Sequence, residues 1–234
     1  MNQTEFKLHS PMHRTEVKKG LISKYFLVLS PILVLTITKI IVEICTKKFD
    51  PQISWLPSFI GYYFTILLMF FIARKFNLVA FKDIFNFSFK PIPKISWILS
   101  GVIFPALIPF NVFILKIGLV PFEYIIYILI FSAINPIFEE GFWRGLLSHM
   151  PFNRTFIILY SAILFGFSHY LFWHFWFNIP IVTVVTVIST TIMGIMWMWF
   201  YQKNKNIIYL IISHFFVDVF NLSVAIYSGI IPAW

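Results

Sequence analysis

The segment at residues 122–149 decides the fold, and it reads FEYIIYILIFSAINPIFEEGFWRGLLSH. It exceeds the length of about 20 apolar residues with which a helix crosses a bilayer, yet its second half carries Glu139, Glu140 and Arg144. Its apolar residues are continuous, whereas the strands of a membrane β-barrel alternate apolar and polar residues. The segment therefore predicts a transmembrane helix with charged side chains inside the membrane.

Comparable apolar runs recur along the 234-residue chain, which is 59% hydrophobic and only 12% charged. Soluble domains are about 45–50% apolar, so lipid is the predicted solvent of this chain. The runs fall at about 24–45, 54–73, 95–115, 122–149, 155–173, 178–200 and 206–222. This pattern predicts an all-α, polytopic transmembrane bundle of seven to eight helices.

Basic residues flank these runs unequally, and the asymmetry predicts a cytoplasmic N-terminus. The polar tail at residues 1–23 and the basic loop at residues 74–94 then face the cytoplasm. The opposite side holds only Lys47, Lys48 and Lys116. The tail lacks the early apolar core of a signal peptide, so the first span is expected to remain as an anchor. Thirteen basic residues lie on the cytoplasmic side: Lys7, Arg14, Lys18, Lys19, Lys24, Arg74, Lys75, Lys82, Lys90, Lys94, Arg154, Lys203 and Lys205.

Composition argues against several other classes of site. The single cysteine, Cys45, allows neither an intramolecular disulfide nor a thiolate metal cluster. The net charge of +9 does not indicate nucleic-acid binding, because the basic residues lie in short loops between spans.

Charged and titratable residues are concentrated in three of the predicted spans, where a charge costs at least about 2.5–3.5 kcal/mol on insertion scales. Glu140 and Arg144 are four residues apart, which places them on one face of their helix. His214 and Asp218 have the same spacing. Glu139 points about 100° away from Glu140, so one carboxylate is expected to do chemistry while the other orients the site. The full cluster is Glu139, Glu140, Arg144, His169, His214 and Asp218.

A turn at Met150–Asn153 predicts a helical hairpin that places two of these residues at a similar depth in the membrane. Glu140 lies 14 residues before Arg154 and His169 lies 15 after it, so both are about 21–23 Å along their helices. His214 also lies well inside the last span. A carboxylate and two imidazoles suit hydrolysis, in which the carboxylate accepts a proton from water and an imidazole orients the water, binds a metal or stabilises an oxyanion.

Two other interpretations use the same residue types. Buried polar pairs can simply tie helices together, and proton relays or ion pathways also place titratable groups in membrane helices. A transporter is expected to show two corresponding sets of interrupted spans, which this sequence lacks. The whole cluster in an otherwise apolar chain therefore favours a catalytic site.

Three motifs at these positions resemble those of the CPBP intramembrane proteases, a family that includes CAAX prenyl endopeptidases and bacterial proteins associated with bacteriocin self-immunity. The family's EExxxR motif matches residues 139–144, its FxxxH motif matches residues 165–169, and its HxxxN/D motif matches residues 214–218. The resemblance covers about residues 95–225. It implies a protease core at residues 95–234, preceded by two spans and the basic loop at residues 24–94.

The resemblance also implies roles for the cluster. Glu140 with His169 would activate the hydrolytic water. His214 with Asp218 would bind the substrate carbonyl or stabilise the oxyanion. Glu139 and Arg144 would hold the geometry of the site.

A metal remains an open alternative, because the family is described both as zinc-dependent and as a metal-independent glutamate peptidase. Glu140, His169 and His214 could supply three zinc ligands, but the HExxH helix of soluble zinc peptidases is absent. We expect no obligatory cofactor.

The prediction is an endopeptidase of a bacterial plasma membrane that cuts a membrane-associated or lipidated peptide or protein. The alternatives are a catalytically idle immunity or binding protein and, less favoured, a proton-coupled transporter. His174 in an aromatic stretch and His149 at a helix end are expected to be structural.

Overall fold

The computed structural model describes residues 11–50, 53–87, 118, 120, 122–174 and 180–227, and all regular secondary structure in these ranges is helical. Five helices there are long and apolar enough to cross a membrane, judged by length and composition. They match five of the seven predicted runs, and a sixth run matches the shorter apolar stretch Ile208–Leu222. The predicted run at residues 95–115 lies outside the described residues. The five spans are Tyr25–Lys48, Trp55–Lys75, Tyr124–His149, Arg154–Trp173 and Thr183–Asn204.

Seven α-helices are labelled here in chain order within the described residues. The first begins inside the predicted polar tail, with Pro11 at its first position, where the missing proline N–H removes no helical hydrogen bond. The helices are α1 (Pro11–Lys48), α2 (Trp55–Lys75), α3 (Phe81–Ile84), α4 (Phe122–Glu140), α5 (Arg154–Trp173), α6 (Pro180–Asn204) and α7 (Ile208–Tyr227).

The distribution of polar and apolar side chains is that of a protein in lipid. Phe64 and Phe71 of α2 are 69% and 62% exposed, whereas Glu140 and Arg144 are 0% and 1% exposed. A soluble domain keeps ionised groups in water and hides its large apolar side chains. The helices therefore turn many aromatic and aliphatic side chains outward and bury the charged pair of Glu140 and Arg144.

The fourth predicted span is not one regular α-helix, and this corrects the sequence prediction. The α-helix α4 ends at Glu140, and the chain continues as a π-helix at Gly141–Leu146 and a 3₁₀ turn at Leu147–His149. π-helical turns are rare and often occur at functional sites. The change of helix type begins directly after Glu140.

Two glycines allow the π-helix to pack closely against residues that the sequence assigned to a cytoplasmic loop. A Cβ at Gly145 would lie 2.5 Å from the backbone oxygen of Ile84, and a Cβ at Gly141 would lie 2.5 Å from the Phe85 ring. Ile84 and Phe85 are buried. The described part of the predicted loop, up to residue 87, therefore folds back and packs along the π-helix.

The predicted hairpin turn at Met150–Asn153 is confirmed. Asn153 caps α5 by accepting a hydrogen bond from the backbone N–H of Phe156 at 2.8 Å. Folding about this turn places the Phe165 ring 5.8 Å from the Trp143 ring, edge to face. The middle of α5 thus lies beside the π-helix.

Small residues bring α5 and α6 close together. A Cβ at Gly194 would lie 3.0 Å from Cα of Ala162, and one at Gly166 would meet the Thr191 side chain. Close approach at small residues is a common way for membrane helices to associate. It positions α6 so that its buried Trp197 reaches the centre of the bundle.

Candidate active site

His214 is the centre of the polar cluster, because both of its ring nitrogens face carboxylates. Nδ1 lies 2.7 Å from Oε1 of Glu140. Nε2 lies 3.5 Å from Oε2 of Glu139 and 3.4 Å from Oδ1 of Asp218. The protonated ring would donate on both sides. The two adjacent glutamates, which project in different directions from α4, therefore meet opposite nitrogens of one imidazole.

The two carboxylate oxygens of Glu140 have different environments. Oε1 accepts from Nη1 of Arg144 at 3.1 Å and contacts Nδ1 of His214. Oε2 is buried and has no hydrogen-bond partner in the described part of the chain. One oxygen is thus fixed from two sides, while the other keeps its capacity to accept a hydrogen bond.

Arg144 forms the ion pair with Glu140 that the i, i+4 spacing predicted, although it lies in the π-helix. Its guanidinium carbon lies 4.1 Å from the Phe165 ring centroid and 5.1 Å from that of Trp197. Such aromatic faces stabilise a cation away from water. Nη2 has no hydrogen-bond partner among the described residues.

Glu139 is held by residues that the sequence analysis did not select. Oε1 accepts from the Tyr62 hydroxyl at 3.1 Å, and that hydroxyl accepts from Nε1 of Trp143 at 3.0 Å. Tyr62 belongs to α2, so the N-terminal spans contribute to the site and are not only generic membrane helices. The sequence could have pointed to Tyr62, because a tyrosine within an apolar helix has a buried hydroxyl that usually needs a hydrogen-bond partner.

Asn135 links two carboxylates of the cluster and was also missed. Its Nδ2 donates to Oδ2 of Asp218 at 3.0 Å and to Oε2 of Glu139 at 3.5 Å. Its Oδ1 accepts from the Tyr63 hydroxyl at 3.1 Å. The sequence signal that could have identified Asn135 was its position one helical turn before Glu139, on the same face of α4.

His169 lies in the same region but makes no hydrogen bond to Glu140 in the described structure. Its Nδ1 lies 2.9 Å from the backbone oxygen of Phe165. A carbonyl oxygen only accepts, so this contact assigns the proton of the neutral ring to Nδ1 and leaves Nε2 as an acceptor. The Phe165 ring packs edge to face against both His169 and His214, at 4.7 Å and 6.4 Å.

Among the described members of the cluster, burial differs from residue to residue. Glu139, Glu140, Arg144 and His214 are all buried. Asp218 has 15% of its side chain exposed, and His169 is half-buried. Asp218 and His169 are therefore the more exposed members of the cluster among the described residues.

The candidate zinc ligands do not form a metal site as they are arranged. Within the described ranges, no three histidine, cysteine, aspartate or glutamate side chains are grouped so as to hold a metal ion. A metal-bound histidine gives one nitrogen to the metal and the other to an outer partner, but both nitrogens of His214 face carboxylates. Glu140, His169 and His214 would have to rearrange to hold zinc.

Three other titratable side chains, His174, His149 and Cys45, have the following surroundings. Nδ1 of His174 lies 2.7 Å from the backbone oxygen of Tyr170, and its ring stacks on the Tyr170 ring. Nε2 of His149 lies 3.5 Å from the backbone oxygen of Asp83. Cys45 is a buried free cysteine. The structural roles of both histidines stay predictions.

Comparison with protein families matches residues 121–220 to the Rce1-like family, described as type II CAAX prenyl endopeptidase Rce1-like. The matched segment contains all three motifs, so the predicted family resemblance is confirmed. No curated protein matches the chain, and no solved structure does either.

Proposed function

Because residues 121–220 of this chain match the Rce1-like family, described as type II CAAX prenyl endopeptidase Rce1-like, we propose that it is an intramembrane endopeptidase. Its substrate would be a membrane-associated or lipidated peptide or protein, cut within the bilayer. The observation that carries the proposal is the asymmetry of Glu140, whose Oε1 is bound on two sides while Oε2 is free to accept. A general base needs a fixed position and an unoccupied oxygen.

In the proposed reaction, Oε2 of Glu140 takes a proton from water as the water oxygen attacks the scissile carbonyl carbon. The carbonyl π electrons move to its oxygen and form a tetrahedral oxyanion. As the oxyanion collapses, the C–N bond breaks and the proton held by Glu140 passes to the departing nitrogen. Water and peptide are consumed, and one carboxyl and one amino terminus form.

His169 is proposed to orient the water from the other side. Its Nδ1 is anchored on the Phe165 carbonyl, so Nε2 is available to accept the second hydrogen of the water. The half-buried position of His169 on the open edge of the site suits a group that meets water and substrate first. Water would then be shared by Glu140 and His169.

The remaining charges would keep Glu140 in place. Arg144 and His214 fix Oε1 of Glu140. Asn135 and Tyr62 hold Glu139 beside Nε2 of His214. No metal is required for these steps, and the commitment of both His214 nitrogens to carboxylates supports a metal-independent mechanism. The location proposed is a bacterial plasma membrane, with the N-terminus cytoplasmic.

The test is cleavage of fluorogenic peptides, prenylated and plain, by the purified protein in detergent. Glu140→Gln keeps the size of the side chain and an acceptor for Arg144 but removes the base, and we expect cleavage to fall by a factor of about 10²–10⁴. Glu43→Gln is the matched control, because Glu43 is exposed on α1 and forms an ion pair with Lys39 at 3.8 Å. Full cleavage by correctly folded Glu140→Gln would overturn the proposed role of Glu140 as the general base.

A further inference from the structure

Tyr63 of α2 contacts the polar cluster from outside the segment that matches the protease family. Its hydroxyl donates to Oδ1 of Asn135 at 3.1 Å. Its ring stacks on that of Phe138, with centroids 4.6 Å apart and planes 17° from parallel. The tyrosine is therefore held against α4 at two points. Since the family match begins at residue 121, none of the motifs gives Tyr63 a role.

Asn135 passes this contact on to Asp218. Its Nδ2 donates to Oδ2 of Asp218 at 3.0 Å. Because that carboxylate oxygen accepts, the amide must present its NH₂ group to Asp218 and its Oδ1 to the opposite side. An amide oxygen needs a donor, and the hydroxyl of Tyr63 supplies it. The partners at both ends therefore fix which way the amide of Asn135 points.

The same line of contacts reaches His214. Oδ1 of Asp218 lies 3.4 Å from Nε2 of His214. The contacts thus run from Tyr63 on α2 through Asn135 on α4 to Asp218 on α7. Both hydrogen bonds along this line point in the same direction, and hydrogen bonds aligned in this way polarise one another. A donor on α2 is therefore linked to a side chain of the last motif.

Asp218 needs such support more than its buried neighbour. Its side chain is 15% exposed, whereas that of His214 is 2% exposed. The last torsion of aspartate and asparagine side chains has broad preferences, so rotamers alone do not fix the plane of the carboxylate or of the amide. Asn135 fixes the carboxylate of Asp218, and Tyr63 fixes the amide of Asn135.

We propose that Tyr63 is a positioning residue that orients Asp218 through the amide of Asn135. The inference rests on the proposed peptidase function and adds α2 to its machinery. The family resemblance assigns the substrate carbonyl to the pair of His214 and Asp218, and Tyr63 keeps one member of that pair in place. Tyr63 itself touches no reacting atom in this role. Its contribution is alignment, and a misplacement of about 1 Å can cost about 10²-fold in rate.

The experiment compares Tyr63→Phe with Tyr160→Phe. Tyr63→Phe keeps the ring that stacks on Phe138 and removes only the donor. Tyr160 is the matched control, because it is also half-buried and its hydroxyl donates to the backbone oxygen of Val28 at 2.6 Å. It lies nine residues before His169, about 14 Å along α5. Each variant thus loses one hydrogen bond between helices, but only one of these bonds belongs to the site.

We expect kcat to fall about tenfold in Tyr63→Phe, with KM changed less than twofold, because alignment acts on the transition state. Tyr160→Phe should keep kcat within twofold of the wild type. The two variants should have similar thermal melts in detergent. A loss of kcat in Tyr63→Phe that Tyr160→Phe matches would show a general loss of stability and would refute the positioning role.

Two unnatural residues at position 63 separate the donor from packing. The para substituent of 4-aminophenylalanine donates a hydrogen bond as the hydroxyl does, whereas that of 4-fluorophenylalanine has no hydrogen to donate. Both fill the space of the hydroxyl, so they remain informative if Tyr63→Phe does not fold. The amino variant should keep kcat within threefold of the wild type, and the fluoro variant should lose about tenfold. Equal kcat in the two would refute the need for a donor.

A double variant tests the route of the effect. If Tyr63 acts through Asn135, adding Tyr63→Phe to Asn135→Ala should lower kcat less than twofold further, because the amide is already absent. Independent effects would multiply. A further tenfold fall in the double variant would therefore reject the route through Asn135.

Failure of this inference is distinguishable from failure of the proposed function. Full kcat in the folded phenylalanine and fluoro variants, with Glu140→Gln inactive, would refute the role of Tyr63 and leave the peptidase intact. Full activity in Glu140→Gln would remove the proposed base. In that case, a tenfold loss of kcat in Tyr63→Phe would still support the role of Tyr63.

Discussion

Asn135→Leu is the sharpest test of the network that holds the carboxylates. Asn135 donates to Asp218 at 3.0 Å and accepts from Tyr63 at 3.1 Å, with a longer contact of 3.5 Å to Glu139. Hydrogen bonds between membrane helices contribute about 0.6 kcal/mol on average and up to about 1.7, and bonds to an ionised group are roughly twice as strong as neutral ones. Summed on this basis, Asn135→Leu should lower the free energy of unfolding by about 2–3 kcal/mol.

The assay is a double-mutant cycle in mixed micelles, with unfolding by SDS. Asn135→Leu combined with Asp218→Ala should give a coupling free energy of about 1–2 kcal/mol. Tyr127→Phe is the matched partner for a control cycle, because Tyr127 lies on the same helix and is exposed; independent sites add within about 0.3–0.5 kcal/mol. A coupling for Asp218 no larger than that for Tyr127 would refute the bridging role of Asn135.

Three further outcomes are expected. Gly145→Ala should lower stability by about 1–3 kcal/mol and reduce cleavage, because its Cβ would lie 2.5 Å from the Ile84 carbonyl oxygen. The control is Gly118→Ala, whose Cβ would meet no atom of the described residues within 4 Å. This control should change neither the thermal melt nor the cleavage of peptides. A strong zinc chelator should leave cleavage unchanged, because both ring nitrogens of His214 face carboxylates; activity lost with chelator and restored by zinc would contradict this. An N-terminal epitope tag should be digested by protease in inverted membrane vesicles and protected in intact spheroplasts, and the reverse pattern would reject the orientation set by thirteen cytoplasmic basic residues.

Local patterns predicted the membrane spans well, and they located most of the charged cluster. Five of the seven continuous apolar runs coincide with long helices, because any segment that crosses lipid must satisfy its own backbone hydrogen bonds. The spacing of Glu140 and Arg144 predicted their ion pair, found at 3.1 Å. The predicted regular helix at residues 122–149 was wrong at its end, since the π-helix depends on α3 packing against Gly141 and Gly145.

By itself, the sequence determined that the chain is helical, that its solvent is lipid and that Glu140, Arg144, His214 and Asp218 lie on helix faces able to form a site. These properties follow from hydropathy and from the fixed geometry of an α-helix, and both are local. Tertiary structure alone decided which oxygen of Glu140 stays free and which donors hold the other. Those features depend on side chains from α2, α4, α6 and α7 meeting at one depth, and no spacing along a single helix specifies such a meeting.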